Sequence, residues 1–155
     1  MKKKKKYPKS TPLWRFLFVV YVGIMLWLLF GRSSGWGSSL SYAQQLRRNM
    51  SLVPFHTIGN YWRVVSRWEW NYMFRHCLIN LLGNVILFIP AGYLLPRLWK
   101  SLRNFFAFLL TCLLAISLVE LLQLVTLLGS LDIDDLILNL FGMILGYLGF
   151  IIFRK

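Results

Sequence analysis

Four of the five acidic residues in this chain, Glu120, Asp132, Asp134 and Asp135, fall inside or at the mouth of long apolar runs. Three of them crowd into the stretch LDIDDLILN, Leu131 to Asn139. Carboxylates so placed can act as a general base, hold a hard divalent cation such as magnesium, manganese or calcium, or anchor a polar ligand. Amide and hydroxyl partners recur at helical spacing. Asn80 and Asn84 are one turn apart; Ser117, Glu120 and Gln123 step by three; Asp132, Asp135 and Asn139 step by three and four, so each set shares one helix face. A carboxylate within a membrane helix costs on the order of 3 kcal/mol, so Glu120 should face a protein interior or a water-filled pocket and have partners. No histidine pair, nucleophile motif or phosphate loop accompanies these groups, and no cofactor is implied.

The elements that must position them are membrane helices. Apolar residues make up 57% of the chain and charged residues 15%, against roughly 25% charged in a soluble domain. The formal charge of +13 sits in clusters that flank or separate the apolar runs, not in a stripe on a soluble fold, so nucleic acid is not an expected partner. Four runs, Phe16 to Phe30, Leu78 to Pro96, Phe105 to Leu128 and Leu136 to Phe153, approach or exceed the roughly 17 residues that cross the hydrocarbon as helix. GRSSGWGSSL, Gly31 to Leu40, holds no A-x-A-like cleavage site, so the first run is expected to stay as an anchor. All eight lysines lie in the N-terminal tract, the short loop RLWKSLR or the C-terminus, which four crossings put on one side. That side is expected to be the cytoplasm, with both termini there and the connection 31–77 outside. The N-terminal lysines serve as a topology anchor or touch anionic lipid.

The expected fold is therefore all-α: a basic cytoplasmic segment, 1–15, then one membrane domain, 16–155, of four transmembrane helices in the cell membrane. Between the first and second spans, Ile58 to Arg75 carries polar residues at a helical period among Trp62, Val65, Trp68 and Tyr72, which predicts an extracytoplasmic amphipathic helix lying in the headgroup layer. In the last span Asn139, Gly142, Gly146 and Gly149 form a small-residue stripe suited to close helix contact. Pro90 in FIPAG predicts a kink. Cys77 and Cys112 enter from opposite membrane faces, so no disulfide is implied, and Cys77 is expected to be reachable from outside.

By depth, every strongly polar group within the spans falls in the outer half. Asn80, Asn84, Glu120, Gln123, Asp132, Asp135 and Asn139, with Arg75 and His76 approaching from the loop, are the candidate pocket. Glu120, Asp132 and Asp135 are the weak metal candidates. Asp134 points off that face and is expected to cap its own helix. Because four carboxylates so close would repel, a proton, a cation or Arg75 should sit among them. Helix-to-helix hydrogen bonding is the competing structural reading.

The segments NMSLVPF (Asn49 to Phe55), NLLGNVILFIPAGYLLP (Asn80 to Pro96), SLVELLQL (Ser117 to Leu124) and LDIDDLILNLFGMILGY (Leu131 to Tyr147) occur in an order that resembles the VanZ-like family. Those are small membrane proteins named for one that lowers susceptibility to the lipoglycopeptide teicoplanin. Family members often carry an arginine just before the aspartates, where Leu128 and Gly129 stand here, so Arg75 or a cation would have to replace it. The resemblance implies an envelope protein whose pocket binds a lipid, a lipid-linked or cell-wall precursor, or a lipoglycopeptide. A membrane enzyme using the outer carboxylates, and an accessory subunit whose polar groups only join helices, remain the alternatives.

Overall fold

A computed structural model of the chain describes residues 11–31 and 40–153. The lysine tract before Ser10, residues 32–39 of the glycine-serine segment, and Arg154 and Lys155 lie outside the described residues. In chain order the elements are α1 (Pro12–Phe30), α2 (Tyr42–Arg48), β1 (Met50–Ser51), α3 (His56–Ser66), α4 (Tyr72–Leu98), a 3-10 turn (Lys100–Arg103), α5 (Phe105–Val125), β2 (Leu131–Asp132) and α6 (Ile133–Phe153). Four of them, α1, α4, α5 and α6, have the length and apolar composition to cross a membrane, so the chain is a multi-pass helical protein.

The helices sort their ends into two groups. At one end Arg97 lies 4.0 Å above the Trp14 ring, Phe18 meets Trp99 edge-on, and the Tyr147 hydroxyl donates to the Arg103 carbonyl at 2.7 Å. At the other, the Gln123 amide donates to the Leu29 carbonyl at 3.0 Å and the Tyr42 hydroxyl to the Val125 carbonyl at 2.9 Å. The first is termed the basic end; the second carries the aspartates and is the acidic end.

The second span begins six residues earlier than its apolar run, at Tyr72, so Arg75 and His76 belong to the first turns of α4 and not to a loop. Asn71 caps that helix, accepting from the Phe74 N–H at 2.8 Å. The amphipathic segment is shorter than its periodicity suggests: α3 stops at Ser66 because Trp68 turns left-handed, φ 52°. Likewise α5 stops at Val125, where Leu127 at φ 55° lets Leu128 N–H reach back to the Gln123 carbonyl at 3.1 Å, a Schellman closure without glycine. Helix α2 has no counterpart in the apolar pattern. Its capping box is plain in SYAQ, where Ser41 and Gln44 satisfy each other's backbone N–H groups.

The core draws on all four long helices: Met25 of α1, Phe88 and Ala91 of α4, Phe108, Cys112 and Ile116 of α5, and Met143 and Tyr147 of α6. Cys77 and Cys112 are both free thiols, and Cys77, at 1% exposure, is not reachable from the surface. Helix α4 runs unbroken through Pro90 and Pro96. Near the first of these, the Tyr21 hydroxyl donates to the Leu87 carbonyl at 2.8 Å and ties α1 to α4.

The closest pairing is α4 with α6, and the glycines explain it. A Cβ placed on Gly142 would overlap the Val85 carbonyl, one on Gly146 the Ile89 carbonyl, and one on Gly92 the Met143 carbonyl. Backbone meets backbone along this seam. Gly149 lies at its edge, where a Cβ would come only within 3.9 Å of the Tyr93 ring. Gly142→Ala and Gly146→Ala should therefore each cost about 1–3 kcal/mol by overpacking, seen as a lower melting temperature in detergent, while Gly149→Ala should leave it unchanged.

Candidate functional site

The three aspartates lie together, and two of them serve one purpose. Asp134 is 0% exposed, and its carboxylate accepts hydrogen bonds from the backbone N–H groups of Phe55 and Ile58, the latter at 2.9 Å. Those amides open α3, whose N-cap position is held by Phe55 at φ 62° with no side-chain cap of its own. Asp134 thus caps a helix from across the chain, and the positive end of that helix steadies its buried charge. The sequence expectation that Asp134 caps α6 is corrected: α6 is capped by Asp132, which accepts the Asp134 N–H at 2.9 Å. The second oxygen of Asp132 takes the Thr57 hydroxyl of α3 at 2.7 Å.

The backbone completes this clasp. Met50 and Ser51 pair in parallel with Leu131 and Asp132, and Leu131 N–H donates to the Asn49 carbonyl at 2.8 Å. Glu120, 5% exposed on α5, accepts from the Asp132 N–H at 3.3 Å. Asp135 is held from another side, by the Asn84 amide of α4. The half-buried Tyr61 hydroxyl of α3 has its pKa raised, by burial first and then by the negative charge of Asp135 and Asp132. It stays a neutral phenol at physiological pH.

The predicted pocket residues therefore divide. Asn84, Glu120, Asp132 and Asp135 come together. Gln123 does not join them; it fastens the end of α1. Asn139 lies buried one turn below Asp135 with its carbonyl oxygen unpartnered. Arg75 does not neutralise the carboxylates: among the described residues none of the four is in an ion pair, and Glu120, Asp132 and Asp134 accept from backbone amides while Asp135 accepts from the Asn84 side chain. No group of three or more His, Cys, Asp or Glu side chains among the described residues is placed to hold a metal, Glu120, Asp132 and Asp135 included.

Arg75, His76 and Asn80 form a second feature. With Tyr72, Ile79, Leu28 and Leu29 of α1, and Leu128 of the strained turn, they line an open cleft of about 560 Å³. The Asn80 amide donates to the His76 carbonyl at 2.8 Å, and the His76 ring lies 6.2 Å from those of Tyr61 and Tyr72. The cleft is cationic at one wall and aliphatic at the other, and among the described residues no carboxylate lines it. Sequence reasoning named Arg75, His76 and Asn80 but missed Tyr72, Ile79, Leu28, Leu29 and Leu128, mostly apolar residues indistinguishable from ordinary membrane helix.

Residues 18–154 match the family described as VanZ/LLP1. The chain belongs to that family. Protein VanZ of Enterococcus faecium is 31% identical over 135 residues, covering 85% of this chain and 70% of the relative. No solved structure matches the chain. The segments that carried the VanZ-like resemblance fall on the clasp and on the α4–α6 seam, so in this chain the family pattern coincides with the scaffold that positions the cleft.

The carboxylates should then separate by substitution. Asp134→Asn keeps one acceptor but faces the other α3 amide with a donor, leaving a buried N–H unpaired at a cost of about 1–3 kcal/mol. Its melting temperature and membrane abundance should fall. Glu120→Gln still offers an oxygen to the Asp132 N–H and should match the parent protein in both measurements.

Proposed function

We propose that this VanZ-family protein is a cell-envelope membrane protein, with both termini cytoplasmic, that lowers susceptibility to lipoglycopeptide antibiotics such as teicoplanin. It does so by binding an amphiphilic ligand, whether a lipid, a lipid-linked or cell-wall precursor, or the antibiotic itself, at its outward acidic end. The observation that carries this reading is the cleft between α1 and α4. Its volume of about 560 Å³ falls in the range of small-molecule sites, roughly 300–1,000 Å³, and it sets two nitrogen-bearing side chains, Arg75 and His76, against a leucine wall. Amphiphiles present that same combination.

Binding is favoured over turnover by where the acidic oxygens go. Both oxygens of Asp132 and both of Asp134 accept from protein donors, which fits these two carboxylates to a capping role. The orientation is supported by charge: Arg97, Lys100 and Arg103 gather at the end opposite the aspartates, as expected of a cytoplasmic face. The amphipathic α3, with Trp62 and Arg63 exposed and Ile58, Tyr61 and Val65 turned inward, would then lie in the outer headgroup layer.

Two measurements test this. In intact cells Ser130→Cys, exposed at the acidic end, should react with a membrane-impermeant thiol reagent while Ser101→Cys at the basic end should not; the reverse pattern would refute the topology. Deleting the gene should raise susceptibility to teicoplanin more than to vancomycin. Complementation with Ile79→Trp, which fills the cleft from an exposed position, should fail to restore it at normal abundance. Full restoration would exclude the cleft as the ligand site.

A further inference from the structure

A second hollow lies deeper in the bundle. Between α1 and the α4–α5–α6 core, an open groove of about 300 Å³ is lined by Phe18, Val22, Leu26, Ala115 and Val119, among other apolar side chains. Its single hydroxyl, that of Tyr21, is already committed to the Leu87 carbonyl. The groove exists because α1 packs thinly, burying Met25 alone. Leu29 forms part of its wall and also part of the wall of the outer cleft. The two hollows therefore share one wall residue on α1, with the polar one toward the acidic end and the apolar one along the middle of the helix.

The charge at the mouth selects a head group. Arg75 is exposed, and its guanidinium has no hydrogen bond or ion pair among the described residues. His76 follows it, and the neighbouring carboxylates are turned to α3, α4 and one another instead of into the cleft. A guanidinium presents a planar fork that matches two phosphate oxygens, and in the headgroup layer such a contact is less screened than in bulk water.

We propose that cleft and groove are the two halves of one lipid site, in which Arg75, with His76 beside it, holds a phosphate head and the groove along α1 takes the hydrocarbon chain. This rests on the reading of the cleft as a ligand site and adds the class of ligand. Leu29 marks the passage from head to chain. Access is lateral, from the bilayer, past the lightly packed face of α1.

Native mass spectrometry of the full chain in a neutral detergent provides the test, with dioleoyl phosphatidic acid, dioleoylglycerol and inorganic phosphate as probes. The phosphate lipid should bind saturably and about tenfold more tightly than the neutral lipid of identical chains, the margin expected of a charge-assisted contact. Arg75→Gln should erase that margin and Arg75→Lys keep part of it. Ala115→Trp or Leu26→Trp, both at exposed groove positions, should weaken both lipids alike without changing the margin. Equal binding of the two lipids by the unsubstituted chain, or a margin that survives Arg75→Gln, would overturn the inference and leave the cleft reading standing. Displacement of the phosphate lipid by inorganic phosphate at equal concentration would identify a free-phosphate site and overturn the lipid assignment. No saturable binding of either lipid would likewise overturn the lipid assignment, while the cleft reading stands or falls with the Ile79→Trp complementation.

Discussion

A carboxylate with no exposed surface, in the most apolar kind of protein, has to find its own solvent. Asp134 finds it in the free N–H groups that open α3. The exchange is mutual, because α3 begins at a phenylalanine that cannot cap it, and its part-buried first-turn amides would otherwise lack an acceptor in the protein. From this contact the rest of the acidic end follows. Holding α3 against α6 brings Thr57 to Asp132, lays Asn49 and Met50 along Leu131, and leaves the Asp132 N–H to Glu120 of α5. Three helices and the long connection are thereby joined through groups that hydrocarbon cannot satisfy, which makes the arrangement specific as well as stable.

The second constraint is steric. Because Gly92, Gly142 and Gly146 put carbonyls against Cα atoms, α4 and α6 can adopt one depth relative to each other and few others. That depth sets Asn84 opposite Asp135. It also fixes where Asn80, about one turn from Asn84 toward the start of α4, and Arg75, about two and a half turns from it, emerge beside the turn that carries Leu128. The seam supplies the ruler and the clasp supplies the lid; α1 is bound to both more loosely, by Tyr21, by Gln123 and by the rings around Arg97.

Much of this was legible in the sequence for reasons that can be named. Spans show as apolar runs because the bilayer demands them, and Asn84, Glu120 and Asn139 stand out because so few residues within the spans are polar. The glycine stripe reads as a seam because spacing of three and four leaves a single face. What was illegible was the ends. Helices α3 and α5 both close on left-handed residues that are not glycine, Trp68 and Leu127, so the signal that normally marks a stop is missing and the helical pattern runs on. The start of α4 was hidden differently: Arg75 and His76 lower the local hydropathy, although Asn71 is an ordinary N-cap. The partner of Asp134 could not be read at all, since Phe55 and Ile58 contribute backbone groups that no side-chain pattern encodes.

Those illegible ends bear on function. Phe55, Trp68 and Leu127 are the three non-glycine residues at positive φ among the described residues, and all three sit at the acidic end. Such backbone costs on the order of 1 kcal/mol each and persists where surrounding contacts over-determine it. At Leu127 the contacts are the double closure onto Gln123 and Leu124, and the result is that Leu128 faces the cleft. The acidic cluster meanwhile satisfies itself, with each carboxylate accepting from protein donors, so its charge is not directed at Arg75. A cluster that neutralised Arg75 would close the cleft electrostatically. One whose carboxylates accept from protein donors leaves a cation at the rim above a leucine wall, with no ion-pair partner among the described residues.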